Sequence, residues 1–180
     1  MRFLLVMVIL TVATAAQASC PAPKDITEEQ TALLEAAQSA DNAGDGQRIG
    51  NALWRLWATA PNEQAQQILD DGMRARNSYN FVAALDIFDQ LVKDCPDYAE
   101  GYNQRAFVHF LRERFEPALE DLDRALKRNP RHVAALTGKA LTLMGLKRHD
   151  EAQQVLRKAV ALNPWVPERG LLKKPDGVEL

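Results

Sequence analysis

The sequence predicts an all-α fold in which one helix-turn-helix unit is written three times and stacked. Three observations carry this expectation. Prolines recur every 34 positions, at Pro96, Pro130 and Pro164, and alanines keep that interval at Ala84, Ala118 and Ala152. Larger columns stay in step: Ile68, Tyr102 and Leu136, then Phe88, Leu122 and Leu156. In the middle copy, Tyr102, Ala106 and His109 fall about one helical turn apart, and Ala118, Leu122 and Ala125 do so again after a polar break. Self-similarity at such a period marks stacked supersecondary units. Small residues at Ala106 and Ala118 let two helices approach closely. Asn129-Pro130 ends the second helix, because proline lacks an amide hydrogen and disfavours helix in the residue before it.

The chain opens with a targeting signal. Arg2 supplies a positive start, Phe3 to Val12 an apolar run, and Ala16-Gln17-Ala18 a small-x-small cleavage site, so residues 1–18 read as a secretory signal peptide. The run is shorter than the about 20 apolar residues that span a bilayer, and no other stretch approaches that length. The mature chain is expected to be periplasmic or secreted, with no integral membrane segment. A lipid anchor on Cys20 is the weaker alternative, since Gln17 stands where a lipobox has an aliphatic residue. The two cysteines, Cys20 and Cys95, either bridge or stay free. A bridge suits export and would close a loop worth about 4 kcal/mol on the chain-entropy model.

Residues 19–64 are expected to hold a linker and a degenerate helical pair. Thr27-x-x-Gln30 has the form of a capping box, followed by Leu33, Leu34 and Ala37 on one helix face. Asp41 to Gly46 reads as a turn. It is no calcium loop, because Ala52 stands where the bidentate Glu belongs. A second helix carries Ile49, Leu53, Trp54, Leu56 and Trp57. The two tryptophans share a face and are expected in the core. Pro61 lies 35 positions before Pro96, so this pair reads as a decayed fourth repeat stacked before the others. Three units follow at 65–98, 99–132 and 133–164, then a cap and tail at 165–180 with one short helical turn from Glu168 to Leu172.

The columns from Ala65 to Pro164 resemble tetratricopeptide (TPR) repeats, over about 100 of the 180 residues. The first copy departs most, with Ala75 where a large residue is usual and Cys95 where the others have Asn129 and Asn163. The resemblance implies a right-handed superhelix whose first helices line a concave groove. The implied groove positions are Gln66, Leu69, Met73 and Arg76; Glu100, Asn103, Phe107 and Phe110; Ala134, Thr137, Leu141 and Met144. Met73, Phe107, Phe110, Leu141 and Met144 would form an apolar patch, with Arg76 and Asn103 orienting a ligand. The expected partner is a peptide or helix of another envelope protein. The chain's own tail, with Trp165, Val166, Leu171 and Leu172, or its N-terminal helix, is the competing occupant. The resemblance also argues against the carboxylate clamp of chaperone-binding TPR domains: Arg76 and Asn103 alone fit it, and Phe107 replaces an amide.

Charge and chemistry narrow the function further. The formal net charge of −2 points to neither nucleic acid nor a membrane surface. It is unevenly spread, at −8 over 21–100 and +5 over 101–180, which suggests head-to-tail self-association as an alternative. Ser19, Ser39 and Ser78 lie outside any nucleophile elbow. His109, His132 and His149 lack zinc spacing and read as ordinary helix or turn positions. Glu116, Glu120, Asp121 and Asp123 read as the outer face of a helix, within reach of Arg124, Lys127 and Arg128. No enzyme, metal or cofactor is expected.

Overall fold

The computed structural model describes residues 20–173, so the signal-peptide expectation lies outside the described residues. Within them the chain forms eight α-helices and one 3-10 turn. They are α1 (Thr27–Gln38), α2 (Ala43–Trp57), α3 (Glu63–Asn77), α4 (Phe81–Asp94), α5 (Ala99–Leu111), α6 (Phe115–Arg128), α7 (Val133–Gly145), α8 (His149–Leu162) and the turn Pro167–Leu171. The fold is an all-α solenoid of stacked helical pairs.

The pairs α3/α4, α5/α6 and α7/α8 are the three repeats. Ala84, Ala118 and Ala152 are fully buried where the helices of each pair cross, with Phe88, Leu122 and Leu156 beside them. Each pair turns through a residue with positive φ, at Tyr79, Glu113 and Lys147, again 34 apart. Neighbouring repeats are also tied by ions: Arg105 bridges Asp89 of the first repeat and Asp121 of its own, and Lys139 reaches back to Asp123. Asp121 is therefore buried, at 2% exposure, rather than on an outer face. Both ends of the stack are closed by polar substitutions in these columns. Gly101, Arg105 and Val108 of α5 meet the first repeat, but their counterparts in α3 are Gln67, Asp71 and Arg74. At the other end Gln153 replaces Leu85 and Leu119. It donates to the Leu171 carbonyl at 2.9 Å and accepts from the Lys173 amide at 2.8 Å.

The N-terminal pair departs from expectation. It does not stack on α3 as a fourth repeat. The hairpin α1/α2 lies along the edge where the second helices end, touching both inter-repeat turns and the turn that leaves the third repeat. At the first, the Tyr98 hydroxyl donates to the Trp57 carbonyl at 2.8 Å. At the second, the Trp57 ring stacks on His132 with centroids 4.2 Å apart, and the Asn129 amide donates to Gln30 Oε1 at 2.7 Å. At the third, Trp165 Nε1 donates to the Ala37 carbonyl at 2.9 Å. Tyr98, His132 and Val166, one column of the repeat, are all buried along this edge. Leu34, Leu53 and Trp57 of the hairpin share a cluster with Val133, Leu136, Ala159 and Val166. Burying each such side chain is worth about 1.5–3 kcal/mol. Cys20 and Cys95 are disulfide-bonded, which fastens the lead into α1 to the end of α4.

Two local expectations are corrected by the same docking. Gln30 does not fold back as a capping-box partner, because it is spent on Trp57 and Asn129; Asp25 accepts from the Thr27 amide instead, at 2.9 Å. The supposed turn at Asp41 to Gly46 is mostly the first turn of α2, capped by Asn42, whose side chain accepts from the Asp45 amide at 3.0 Å. Gly46 is there for closeness: a Cβ would sit 2.2 Å from Trp165 Cγ. Gly46→Ala is expected to cost about 1–3 kcal/mol through overpacking, read as a lowered urea midpoint with unchanged slope.

Candidate functional site: an apolar groove with a buried polar base

The first helices α3, α5 and α7 stand side by side and leave a groove of about 280 Å³. Its floor and walls come from Ala106, Phe107 and Phe110 of α5, Leu122 of α6, and Ala134, Thr137, Gly138 and Leu141 of α7. Arg76 closes it at the α3 side. Of the seven residues expected here, Arg76, Asn103, Phe107, Phe110 and Leu141 line this space. Met73 and Met144 do not. Met73 packs instead against the core cluster that holds Leu69 and Phe88. Leu69, Glu100 and Thr137, also at groove positions, are buried.

Two residues missing from the expected set complete the walls. Trp54 reaches in from α2 and Glu168 from the 3-10 turn. Trp54 is 45% exposed and Phe107 is 43% exposed, so two large aromatic side chains open into the same groove. The tryptophan pair of α2 has thus divided: Trp57 turns into the hairpin core, while Trp54 faces the groove. Among the described residues, the N-terminal hairpin and the 3-10 turn each contribute one side chain to the groove, Trp54 and Glu168.

Beneath the groove lies a buried polar chain. Glu100 is 2% exposed and accepts from Asn103 at 3.0 Å, from Gln104 at 2.5 Å and from His132 Nε2 at 2.8 Å. His132 Nδ1 accepts from the Ala135 amide at 3.3 Å and so caps α7, which leaves its proton on Nε2. His132, expected as an ordinary turn residue, is buried at 1% exposure in this network. Gln104 passes the chain on by accepting from Arg76, whose guanidinium lies 5.0 Å above the Phe107 ring. Burial lowers the pKa of Arg76, and the charge of Glu100 opposes this. Burial pushes the Tyr98 phenol up, and Glu100 and Asp70 add to the effect. The network holds Arg76 and Asn103 at the groove wall.

A larger cleft, about 820 Å³, lies between the hairpin and the inter-repeat turns. Its buried polar groups, Gln30, Glu100 and His132, already bond one another or Trp57 and Asn129. Among the described residues no group of three or more His, Cys, Asp or Glu is placed to hold a metal ion, and no helix is long and apolar enough to cross a membrane.

Known proteins align with this picture. Residues 109–168 match the tetratricopeptide repeat family. A TPR repeat-containing protein of Rhizobium etli is 27% identical over 121 residues, covering 67% of this chain and 58% of that protein. The Hsp70/Hsp90 co-chaperone cns1 of Schizosaccharomyces pombe is 29% identical over 155 residues, covering 79% and 43% respectively. The chain thus spans about half the length of these curated relatives. Among solved structures, the first TPR of Spaghetti bound to an HSP90 peptide superposes with a TM-score of 0.59 at 19% identity, covering 61% of this chain and 88% of that one. Period, helix pairing and matches agree: the chain carries tetratricopeptide repeats and has the TPR fold.

Proposed function

We propose that the protein is a non-catalytic interaction scaffold of the cell envelope, holding a segment of a partner protein in the groove between α3, α5 and α7. The observation that carries this reading is the pairing of two large exposed aromatics, Trp54 and Phe107, in one concave apolar site. Exposed apolar surface in a groove marks a place where burial on binding supplies the driving force. The Spaghetti repeat solved with an HSP90 peptide supports the use of such a groove for peptides. The chemistry of the ligand differs here. Asn103 is turned onto Glu100, and Phe107 stands where the resembled clamp has an amide, so a terminal carboxylate would meet Arg76 alone and no clamp around it.

Export is supported by the signal-like residues 1–18 and by the Cys20–Cys95 bond, which suits an oxidising compartment and leaves Cys20 no thiol for a lipid. The face of α3 that would meet a further repeat carries Gln67, Asp71 and Arg74, so end-to-end stacking would bury polar groups there, which favours the groove reading over self-assembly.

Replacing Phe107 and Phe110 together by alanine is expected to abolish partner capture from an envelope extract. Both side chains keep part of their surface open, so the melting temperature should fall little. A double variant that captures the same proteins as the wild type would overturn the groove assignment.

A further inference from the structure

The two charged residues at the groove rim have no ionic partner among the described residues. Arg76 donates to Asn77 and Gln104, both neutral, and reaches Glu100 only through Gln104. Glu168 lines the groove and makes no side-chain hydrogen bond or ion pair among the described residues. Every other arginine of α3 to α6 that forms an ion pair does so with a repeat carboxylate: Arg74 with Asp71, Arg105 with Asp89 and Asp121, Arg124 with Asp121. Arg76 is on α3 and Glu168 lies beyond α8, so they stand at opposite ends of the row α3, α5, α7. Between them the lining is mostly apolar, with Phe107, Phe110 and Leu141 and with Trp54 alongside, and its polar members Asn103, Gln104, Thr137 and Thr142 are uncharged.

We propose that this groove selects a partner segment of fixed polarity: an acidic side chain at the α3 end, one or two bulky apolar side chains at the centre, and a basic side chain at the cap end. The inference rests on the groove reading above and adds the partner's chemistry and direction. A space of about 280 Å³ is at the small end for a binding pocket, so it seats one or two side chains rather than a whole helix. Arg76 is held rigid by Phe107 below and Gln104 beside it, so little rotamer freedom is lost when a carboxylate arrives. Its guanidinium is already partly stripped of water, which strengthens an ion pair formed there. Glu168 plays the converse role for an ammonium or guanidinium. A segment laid in the reverse direction would set like charges against both ends, which excludes it.

The test uses a phage-displayed library of random dodecapeptides panned on the disulfide-bonded chain from Ser19 to Leu180. The expected result is a consensus with an acid, a bulky apolar core and a base in that order. Arg76→Gln should weaken the selected peptides about tenfold and erase the acidic preference alone, and Glu168→Gln should do the same for the basic preference. Trp54→Ala should relax the apolar core while both charge preferences persist. Peptides that depend on Phe107 and Phe110 but show no charge order, or ignore Arg76→Gln and Glu168→Gln, would overturn the inference and leave the groove reading intact. Selection of no peptide, or only of peptides indifferent to Phe107→Ala/Phe110→Ala, would overturn both.

Discussion

Trp57→Ala is expected to destabilise the protein by about 3–5 kcal/mol, the usual cost of emptying a buried aromatic site. The residue is 5% exposed and serves three contacts at once. Its ring stacks on His132, its indole nitrogen donates to Gln30 at 2.7 Å, and its carbonyl accepts from Tyr98. Truncation removes the ring and leaves Gln30 Oε1 with the Asn129 amide alone. Trp57→Phe keeps most of the packing and loses the indole hydrogen bond, so it should cost only about 1–2 kcal/mol. Urea denaturation of the two variants beside the wild type reads this difference directly. Equal midpoints for Trp57→Ala and wild type would show that the hairpin contributes nothing to global stability. The hydrogen exchange of α1 and α2 should rise more than that of α5 and α6, because the hairpin loses its own anchor while the repeats keep theirs.

The second large effect concerns the Cys20–Cys95 bond. The double variant Cys20→Ser/Cys95→Ser is expected to lose about 2–5 kcal/mol, near the about 4 kcal/mol that closing a loop of this length gives on the chain-entropy model. Wild type in excess dithiothreitol should melt at the temperature of the double variant. The single variants should match it too, since one thiol without its partner closes no loop. A double variant as stable as the oxidised wild type would mean that the docked hairpin alone already confines the N-terminus. Groove binding offers a second readout. The bond confines the hairpin that carries Trp54, so peptide affinity should fall with the hairpin's docking even at temperatures where the repeats remain folded.

The repeats were legible in the sequence because each packing contact is made three times. A column such as Ala84, Ala118 and Ala152 averages out the accidents of any single position. The groove was legible in part for the same reason. Phe107, Phe110, Leu141, Asn103 and Arg76 sit where repeat position places them. Met73 packs against the core cluster instead, as an unbranched side chain can, and Met144 is outside the groove lining. The two helices of the hairpin were legible, but its docking was not. Its contacts join residues about a hundred positions apart, such as Gln30 with Asn129 and Ala37 with Trp165, and each is made once. The available signal was the departure of Cys95 from Asn129 and Asn163. All three occupy the same corner of the repeat: Cys95 binds Cys20, Asn129 binds Gln30, and Asn163 Oδ1 accepts from the Trp165 amide. Trp54 was missed as a groove residue because two tryptophans three apart look alike in a helical pattern. Only the docking of α2 decides which of them faces the space.

The hairpin along the turn edge has a consequence for the order in which the chain acquires its shape. Synthesis delivers α1 and α2 first, yet the surfaces they need come last. Trp165, which the hairpin meets through Ala37 and Gly46, is separated from Ala37 by 128 positions. Each repeat can pair its own helices as soon as it emerges, since those contacts are local and form quickly. The hairpin can meet the first turn early, through Tyr98 and Cys95, but its docking is complete only when the third repeat and its cap are in place. The beginning of the chain is therefore the last part to settle, and its closure reports that every repeat behind it is in place.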